Sequence, residues 1–334
     1  IAPGLVDTHI HGFGGVDVMD NNIEGTLHTM SEGLLSTGVT SFLPTTLTSS
    51  YEQLLAVTEN IGARYREASG AKIRGIYFEG PYFTEKYKGA QNPAYMKDPR
   101  MDEFRAWQKA ANGLLNKIAL APEREGVEDF VRTITGEGVT VALGHSNATF
   151  DEAKKAVDAG ASVWVHAYNG MRGLTHRELG MVGAMYELPH TYAELICDGH
   201  HVDPKACDIL LKQKGTENIA LITDCMTAGG LEDGDYMLGE FPVVVVNGTA
   251  RLKSTGNLAG SILKLKDGLK NVVEWGIANP HEAVMMASLN PAKSVHIDDV
   301  CGQIREGYDA DFIVLDKDLE LVATYLDGVK RYQA

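Results

Sequence analysis

The sequence predicts an α/β fold, a (β/α)₈ barrel of the metal-dependent hydrolase type, with part of a small β domain at its C-terminal end. Eight short apolar or β-branched segments recur within the first 225 residues, and segments with helical spacing lie between them. This alternation is typical of a closed barrel. No G-x-G-x-x-G turn follows the first predicted strand, which disfavours an open, doubly wound sheet.

The predicted strands are too uniformly apolar to have one face in water. Such segments are typical of parallel strands that are covered on both sides. They lie at residues 5–11, 39–46, 73–80, 117–123, 139–145, 161–168, 192–199 and 218–225.

Several of the intervening segments carry recognisable helix signals. We predict helices over residues 24–37, 51–68, 151–160 and 203–213. The first places Leu27, Met30 and Leu34 on one stripe and ends at Gly38, a residue that favours the helix C-cap. The last begins with Asp203 and Pro204, an N-cap followed by proline at the first helical position.

The C-terminal part of the sequence has a different pattern. An Asn-Gly pair at residues 247–248 predicts a hairpin, and two helical stretches follow it. Residues 299–334 then show the alternation of strands. We therefore assign residues 1–298 to the barrel and 299–334 to strands of a small β-sandwich domain, whose N-terminal part we expect upstream of Ile1.

Composition excludes several classes of partner. The chain has 45 acidic and 30 basic residues among 334, a formal charge of −15, so we expect neither nucleic acid nor an anionic membrane surface as a partner. Four scattered cysteines without a C-x-x-C pair predict reduced thiols and a cytoplasmic protein. We find no apolar run long enough for a membrane span and no signal peptide.

Two histidines stand at the end of the first predicted strand, in the segment LVDTHIH. His9 and His11 are two residues apart, so their side chains project to the same side of a strand and can bind one metal ion together. The pattern H-x-H is a weak signal by itself, because a pair of surface histidines in a loop produces it as well.

Similar side chains occur at the ends of other predicted strands. Glu79 ends the third strand, His145 the fifth and His166 the sixth, while Asp224 follows the apolar run of the eighth. Each alone is more often a structural residue than a functional one. The C-terminal ends of barrel strands form the functional face, however, and a carboxylate at the end of an apolar run is costly unless it is paired or coordinated. Together they predict a metal centre.

Several motifs extend this pattern. The segments PGLVDTHIHG, GHSNAT, HAYNGM, TDCM and GQIREGYDADFIVLD resemble the amidohydrolase superfamily of metal-dependent barrels. More closely, FEGPYFTEKYKGAQNP, HAYNGMRGLTHRELG, ICDGHHVDP and GNLAGS resemble the N-acetylglucosamine-6-phosphate deacetylase family. The resemblance implies hydrolysis of the N-acetyl amide of this phosphosugar to glucosamine 6-phosphate and acetate, in amino-sugar catabolism and cell-wall sugar recycling.

The resemblance also implies roles for the residues at the strand ends. Glu79, His145 and His166 would bind a divalent metal ion, and Asp224 would be the catalytic acid and base. Because His9 and His11 are both present, a second ion is possible, with Glu79 bridging the two and Asp224 beside them. The mixed imidazole and carboxylate set suits zinc or iron.

The substrate residues are likewise implied by the resemblance. The phosphate would meet Asn169, Gly170, Arg177 and His201, and Arg177 would reach the neighbouring subunit's site, which implies a homodimer. The remaining positions of the substrate site are Ala90, Gln91, Asp198, Leu258, Ala259 and Gly260. Some relatives have histidine where this chain has Gln91, and glutamine cannot carry that residue's positive charge. Without the resemblance, the sequence favours a simpler interpretation of Arg177, a solvated helix charge paired with Glu178 or Asp203.

Two other interpretations compete. Another amidohydrolase, such as a dihydroorotase-like or D-amino-acid deacylase enzyme, would commonly bridge its metals with a carbamylated lysine on strand four, but KIALAPE has no lysine at its C-terminal end. A metal-stabilised binding or scaffold protein would retain the histidines without turnover. The presence of Asp224 disfavours the second interpretation.

Overall fold

The computed structural model describes residues 1–20 and 23–334, and its centre is a parallel barrel. Each strand pairs with the next in parallel, from β1 to β8. All eight predicted strands are present, and the predicted fold class is confirmed. Their bounds are β1 Leu5–Ile10, β2 Val39–Thr46, β3 Ile76–Tyr82, β4 Leu115–Leu120, β5 Thr140–Leu143, β6 Val163–Trp164, β7 Tyr192–Leu195 and β8 Ile219–Leu221.

The barrel closes at its C-terminal end. Ile10 forms a parallel bridge with Cys225, just beyond β8. The backbone N–H of His11 donates to the carbonyl of Cys225 (2.8 Å), and that of Asp224 donates to the carbonyl of His9 (2.9 Å). Closure therefore takes place beside the side chains of the predicted metal centre.

Ten α-helices are found in the described residues. The four predicted helices are confirmed, with Gly38 left-handed (φ 81°) after the first and the Asp203 side chain accepting from the N–H of Lys205 in the seventh. The helices are α1 Ile23–Leu34, α2 Tyr51–Arg64, α3 Met101–Ala110, α4 Val127–Thr135, α5 Phe150–Asp158, α6 Gly180–Glu187, α7 Pro204–Lys214, α8 Leu265–Glu274, α9 Pro280–Ala287 and α10 Leu289–Ser294. None of them is long and apolar enough to cross a membrane.

The core has two main layers. The larger lies between the barrel strands and the surrounding helices. A smaller cluster draws mostly small side chains from the strands, such as Val6, Ala119 and Val163, and packs them against Ala292 and Val295 of the α10 region. Side chains therefore fill the barrel where this cluster lies, and the space for a functional site is at the C-terminal end of the strands.

A separate antiparallel sheet stands at the N- and C-termini. Its strands, in spatial order, are Ala2–Pro3, Phe312–Leu315, Leu321–Leu326 and Val329–Gln333. The first of them precedes the barrel, in the stretch that the predicted boundary assigns to the barrel domain. Lys72 joins the two parts through its contacts with Asp309 (2.9 Å) and Asp327 (2.7 Å).

A second antiparallel sheet leaves the barrel between β8 and α8. Its strands are Gly234–Leu238, Phe241–Val246 and Thr249–Leu252. Asn247 and Gly248 both have positive φ (52° and 78°), as a tight hairpin turn requires, which confirms the predicted hairpin. Two shorter strands, Gly12–Phe13 and Val16–Asp17, pair with each other, and Lys72–Ile73 pairs with β2.

Candidate metal centre and active site

Six side chains from five strands converge at the C-terminal end of the barrel. They are His9, His11, Glu79, His145, His166 and Asp224, and all are buried. Glu79 lies within β3, whereas His145 and His166 follow the ends of β5 and β6 by two residues. His145, His166 and Asp224 have left-handed backbone (φ 45°, 25° and 51°), a conformation that costs free energy and is concentrated at functional sites.

The first group of ligand atoms comprises Glu79, His145 and His166, and is called the Glu79 set. Their nearest side-chain atoms all lie within 4.8 Å of one another. The Oε1 atom of Glu79 is 3.1 Å from Nε2 of His145 and 3.2 Å from Nε2 of His166. The two imidazole nitrogens are 3.0 Å apart. These three atoms are close enough to share one ion.

The second group comprises His9, His11 and Asp224, and is called the Asp224 set. These residues also lie within 4.8 Å of one another. The Oδ1 atom of Asp224 is 3.5 Å from Nε2 of His9 and 3.1 Å from Nε2 of His11. Glu79 reaches this set too, at 3.6 Å from His9 and 3.2 Å from His11. Glu79 thus stands between the two sets.

The Nδ1 atom of each imidazole, which faces away from the centre, lies beside a hydrogen-bond acceptor. Nδ1 of His145 faces the carbonyl of Tyr87 (2.8 Å), that of His166 the carbonyl of Asn169 (3.1 Å), and that of His11 the carbonyl of Thr45 (3.1 Å). Nδ1 of His9 faces Oε2 of Glu194 (3.2 Å). Since carbonyls and carboxylates only accept, every Nδ1 carries a proton, and every Nε2 faces the centre, where it is placed to bind a cation.

The electrostatics of the centre favour positive charge. Burial would raise the pKa of Glu79, but the imidazoles, His9 foremost, hold that pKa well below its usual range. Burial would likewise raise the pKa of Asp224, and His9 and His11 lower it. Burial would lower the pKa of His11, but hydrogen bonds to Asp224 and Glu79 raise it well above its usual range. Both carboxylates are therefore ionised, and the site binds a proton or another cation readily.

The donor set fits a divalent metal ion. Four Nε2 lone pairs and two carboxylates converge on one space, which suits a transition-metal cation such as zinc or iron. The Nε2 atom of His9 is buried and has no hydrogen-bond partner among the described residues, so without a cation this lone pair is left unsatisfied. Each ligand imidazole also has the outer acceptor that metal-binding histidines usually have.

A cavity of about 320 Å³ opens onto both sets. Among the predicted substrate residues, its wall includes Ala90, Gln91, Asn169, Gly170, His201, Leu258 and Gly260. A larger cavity, of about 560 Å³, adjoins it and shares Leu47 and Ala90, but it contains none of the six converging side chains. The smaller cavity is therefore the one suited to metal-dependent chemistry.

Comparison with known proteins agrees with this geometry. The model of the amidohydrolase family matches residues 1–331. The chain belongs to the amidohydrolase family. Members of this family are metal-dependent hydrolases of carbon–nitrogen bonds, which confirms the predicted enzyme class.

The amidohydrolase is similar to characterised sugar-phosphate deacetylases. It is 40% identical over 329 residues to N-acetylglucosamine-6-phosphate deacetylase of Vibrio furnissii, covering 98% of this chain and 82% of that one. It is also 40% identical over 329 residues to N-acetylgalactosamine-6-phosphate deacetylase of Escherichia coli O157:H7, covering 98% of this chain and 86% of the relative.

Solved structures give the same picture. N-acetylglucosamine-6-phosphate deacetylase of Thermotoga maritima superposes with a TM-score of 0.91 at 34% identity, over 100% of this chain and 89% of that one. A mutant of the Mycobacterium smegmatis enzyme, in complex with N-acetyl-D-glucosamine-6-phosphate, superposes with a TM-score of 0.93 at 32% identity, over 99% and 86%. The predicted resemblance to N-acetylglucosamine-6-phosphate deacetylases is confirmed.

Three of the predicted substrate residues lie outside the cavity wall of the amidohydrolase, as does the predicted metal ligand His9. Asp198 stands behind His201, with its Oδ2 2.6 Å from Nδ1 of the imidazole. Ala259 is fully buried under the hairpin sheet. Arg177 is exposed and makes no hydrogen bond or ion pair with any residue that the structure describes, so neither Glu178 nor Asp203 is its partner.

Gln91 has a defined orientation in the amidohydrolase. Its Oε1 accepts from the backbone N–H of Thr48 (2.7 Å), and since that group can only donate, the amide nitrogen must face the opposite way. The nitrogen lies 2.5 Å from Oε2 of Glu79. Gln91 therefore supports the shared carboxylate from outside.

Sequence reasoning missed several residues of the site. Leu47, Gly89, Leu238 and Asn257 also line the cavity. Asn257 lies within the quoted GNLAGS segment but was given no role there, whereas Leu238 reaches the cavity from the hairpin sheet, which only the tertiary fold shows. Lys117 and Glu194, inside the barrel, were also missed, although a charged residue in an apolar strand is itself a signal.

Proposed function

We propose that this amidohydrolase removes the acetyl group of N-acetylglucosamine 6-phosphate, giving glucosamine 6-phosphate and acetate. The observation that carries the proposal is that one cavity is lined by Glu79, His145, His166 and Asp224 and also by Asn169, Gly170 and His201. The deacetylase relatives cover nearly the whole chain, which supports the same substrate class.

The metal would be held by the chain's own imidazoles and carboxylates. We assign one divalent ion to the Glu79 set and a second to the Asp224 set, with Glu79 between them; zinc or iron suits the donors. A divalent cation bound here supplies a Lewis acid that polarises the amide carbonyl and lowers the pKa of water. Metal analysis of the purified protein tests the number and identity of the ions.

Asp224 is the residue that we assign to proton transfer. Its side chain is 12% exposed, more than the 3% of Glu79, the other carboxylate of the centre, and it faces the cavity. Because its pKa is lowered, it is ionised at neutral pH and can accept a proton from the attacking water. The same proton can pass to the departing nitrogen, so that an amine leaves rather than an amide anion.

The phosphate would be bound at the far side of the cavity. Asp198 accepts from Nδ1 of His201, which leaves Nε2 to face the cavity, and Asn169 and Gly170 follow His166. Arg177 is exposed and unpaired among the described residues, so it is available to a second copy of the chain. We therefore propose a homodimer in which Arg177 completes the neighbouring phosphate site.

Subunit mixing tests the dimer directly. Asp224→Asn and Arg177→Ala variants are each expected to be nearly inactive, but a heterodimer has one site with both Asp224 and the partner's intact arginine. Activity should therefore return on mixing under exchange conditions. If two inactive variants give no recovery although heterodimers form, Arg177 does not act across the interface.

A second substrate has its own support. The N-acetylgalactosamine-6-phosphate deacetylase of Escherichia coli O157:H7 is as similar to this chain as the glucosamine enzyme of Vibrio furnissii. The two sugars differ in the configuration of one hydroxyl group. We expect the glucosamine compound to be preferred, and the galactosamine epimer is the alternative.

Acetate release decides between these substrates. The assay compares both N-acetylhexosamine 6-phosphates with unphosphorylated N-acetylglucosamine, on protein of known metal content. A preference for N-acetylglucosamine 6-phosphate supports the proposal, and a preference for the galactosamine compound replaces it. Equal activity on the unphosphorylated sugar would contradict the phosphate roles of Arg177 and His201.

The cellular location is also a proposal. All four cysteines are buried and free of disulfides. Free thiols and a phosphorylated substrate suit the reducing cytoplasm.

A further inference from the structure

An ion pair lies inside the barrel, directly below the Asp224 set. Lys117 of β4 contacts Oε1 of Glu194 of β7, and both side chains are fully buried. The ammonium group also lies 3.8 Å from the centre of the Tyr77 ring and 3.4 Å from the carbonyl of Thr8. The other carboxylate oxygen of Glu194 is 3.2 Å from Nδ1 of His9.

Stability is a poor explanation for this pair. Removing two charges from water costs about as much as their attraction returns, and apolar replacements of buried ion pairs are often as stable. Oε1 of Glu194 faces the ammonium group of Lys117, and Oε2 faces Nδ1 of His9 (3.2 Å) and the backbone N–H of His166 (3.4 Å). Both oxygens of this carboxylate therefore accept hydrogen bonds.

The pair forms a directed series of hydrogen bonds. The ammonium group of Lys117 can only donate, and the carboxylate of Glu194 can only accept. Nδ1 of His9 must therefore carry its proton, which leaves the lone pair on Nε2. That nitrogen points between Glu79 (3.6 Å) and Asp224 (3.5 Å), where no described residue forms a hydrogen bond with it.

We propose that Lys117 and Glu194 are a positioning pair that fixes the tautomer of His9 and thereby builds the metal site of the Asp224 set. The inference rests on the proposed metal-dependent function. Glu194 does not line the cavity, and in this proposal it acts through His9. Its second oxygen also receives the backbone N–H of His166 (3.4 Å), so the same carboxylate touches a residue of the Glu79 set.

Substitution of Glu194 by glutamine tests this role, because Lys117 dictates how the amide turns. In Glu194→Gln the amide oxygen must face the ammonium donor, so the amide NH₂ faces His9. The imidazole must then accept at Nδ1 and carry its proton on Nε2, so that His9 no longer offers a lone pair to the ion. We expect the Asp224 set to bind zinc about 10- to 100-fold more weakly, while the Glu79 set keeps its ion.

A second substitution should reverse the defect. In Lys117→Met with Glu194→Gln the amide is free to turn, and its oxygen can accept from Nδ1 of His9. We expect this double variant to recover zinc binding to within a few-fold of wild type. A purely structural role predicts the opposite, since the double variant departs further from the native interior than the single variant does.

Two measurements on the full-length protein report the outcome. Zinc per chain is followed during graded challenge with a chelator, and ¹⁵N spectra of labelled histidines identify which imidazole nitrogens carry protons. The matched control removes a different lysine–glutamate pair, Lys97 and Glu103 (2.7 Å), through Lys97→Met with Glu103→Gln. The control should retain both ions and the native tautomers.

The results that would overturn the inference are distinct. It fails if Glu194→Gln holds the second zinc as tightly as wild type, if the folded double variant binds no better than the single one, or if wild type saturates at one ion. Thermal unfolding shows whether each variant is folded. None of these readouts depends on the sugar, so failure of acetate release would reject the proposed reaction and leave this inference to be judged separately.

Discussion

The Glu79 set and the Asp224 set are held in place by different means. In the Glu79 set, both imidazoles are oriented by backbone carbonyls, of Tyr87 and Asn169. In the Asp224 set, His11 is oriented by a backbone carbonyl but His9 by the side chain of Glu194. A backbone carbonyl is present whatever the sequence, whereas a carboxylate can be lost by a single substitution. The Asp224 set is therefore the more easily changed of the two.

The largest expected effect comes from the carboxylate that the two sets share. In Glu79→Gln a neutral amide replaces the carboxylate that contacts all four imidazoles, so we expect metal content to fall from two ions to less than one per chain. Acetate release should fall below detection. Metal analysis and a deacetylation assay check this, with Glu103→Gln as a folded control. Retention of one tightly bound ion would show that the sets are more independent than Glu79 suggests.

Loss of Asp224 should separate chemistry from metal binding. In Asp224→Asn the base and proton donor is removed, and we expect kcat to fall by roughly 10²- to 10⁴-fold. The ion of the Glu79 set should remain, because none of its three ligands is altered. Kinetics and metal analysis on the same preparation test both statements. A variant that retains wild-type kcat would remove Asp224 from the mechanism.

Loss of His11 should affect one set alone. In His11→Asn the Asp224 set loses an imidazole, so we expect one ion per chain instead of two. The loss of zinc affinity at this set should be at least the roughly 10- to 100-fold that removal of an outer partner costs. His28→Asn, an exposed histidine outside the site, is the control. Loss of both ions would mean that the Glu79 set depends on its neighbour.

The smallest effect concerns a buried lysine that has no carboxylate partner among the residues that the structure describes. Unlike Lys117, Lys214 bonds to the oxygens of Leu188 and Thr191, and burial lowers its pKa from 10.5 to about 8. Between these values the unfolded chain binds more protons than the folded one, so the free energy of unfolding should rise with pH across this window. We expect a rise of about 1 kcal/mol after solvent screening.

Unfolding in urea at pH 7.5 and at pH 10 measures that rise. Lys214→Met should remove this part of the pH dependence and leave metal content unchanged. If Lys214→Met keeps the full rise in the free energy of unfolding, groups other than Lys214 cause it. If the variant loses metal, Lys214 influences the metal centre, contrary to this prediction.

The barrel and most of the centre could be predicted because they depend on regular geometry. Apolar runs predicted all eight strands, and the parallel arrangement brought Glu79, His145 and His166 to one end. The left-handed backbone of His145 and Asp224 could not be predicted, because no glycine indicates it and the surrounding loops impose it.

Other features depended on packing between distant segments. Lys117 and Glu194 lie within the strand segments LNKIAL and YAEL, which indicates two buried charges. Whether these two charges meet depends on strand positions that one sequence does not reveal. Leu238 belongs to the hairpin sheet. The turn of this hairpin was predicted, but its packing against the cavity was not. The role that we propose for Arg177 involves a second subunit, and no pattern within one chain describes such a contact.

The closure of the barrel has a consequence for its mechanics. The first and last strands of the barrel meet through the backbone of residues 9–12 and 224–225, and the Asp224 set takes its ligands from both sides of that contact. A cation held by His9, His11 and Asp224 would crosslink the ends of the first and last strands of the barrel. Chelation should therefore speed amide hydrogen exchange along this contact before it affects the opposite wall.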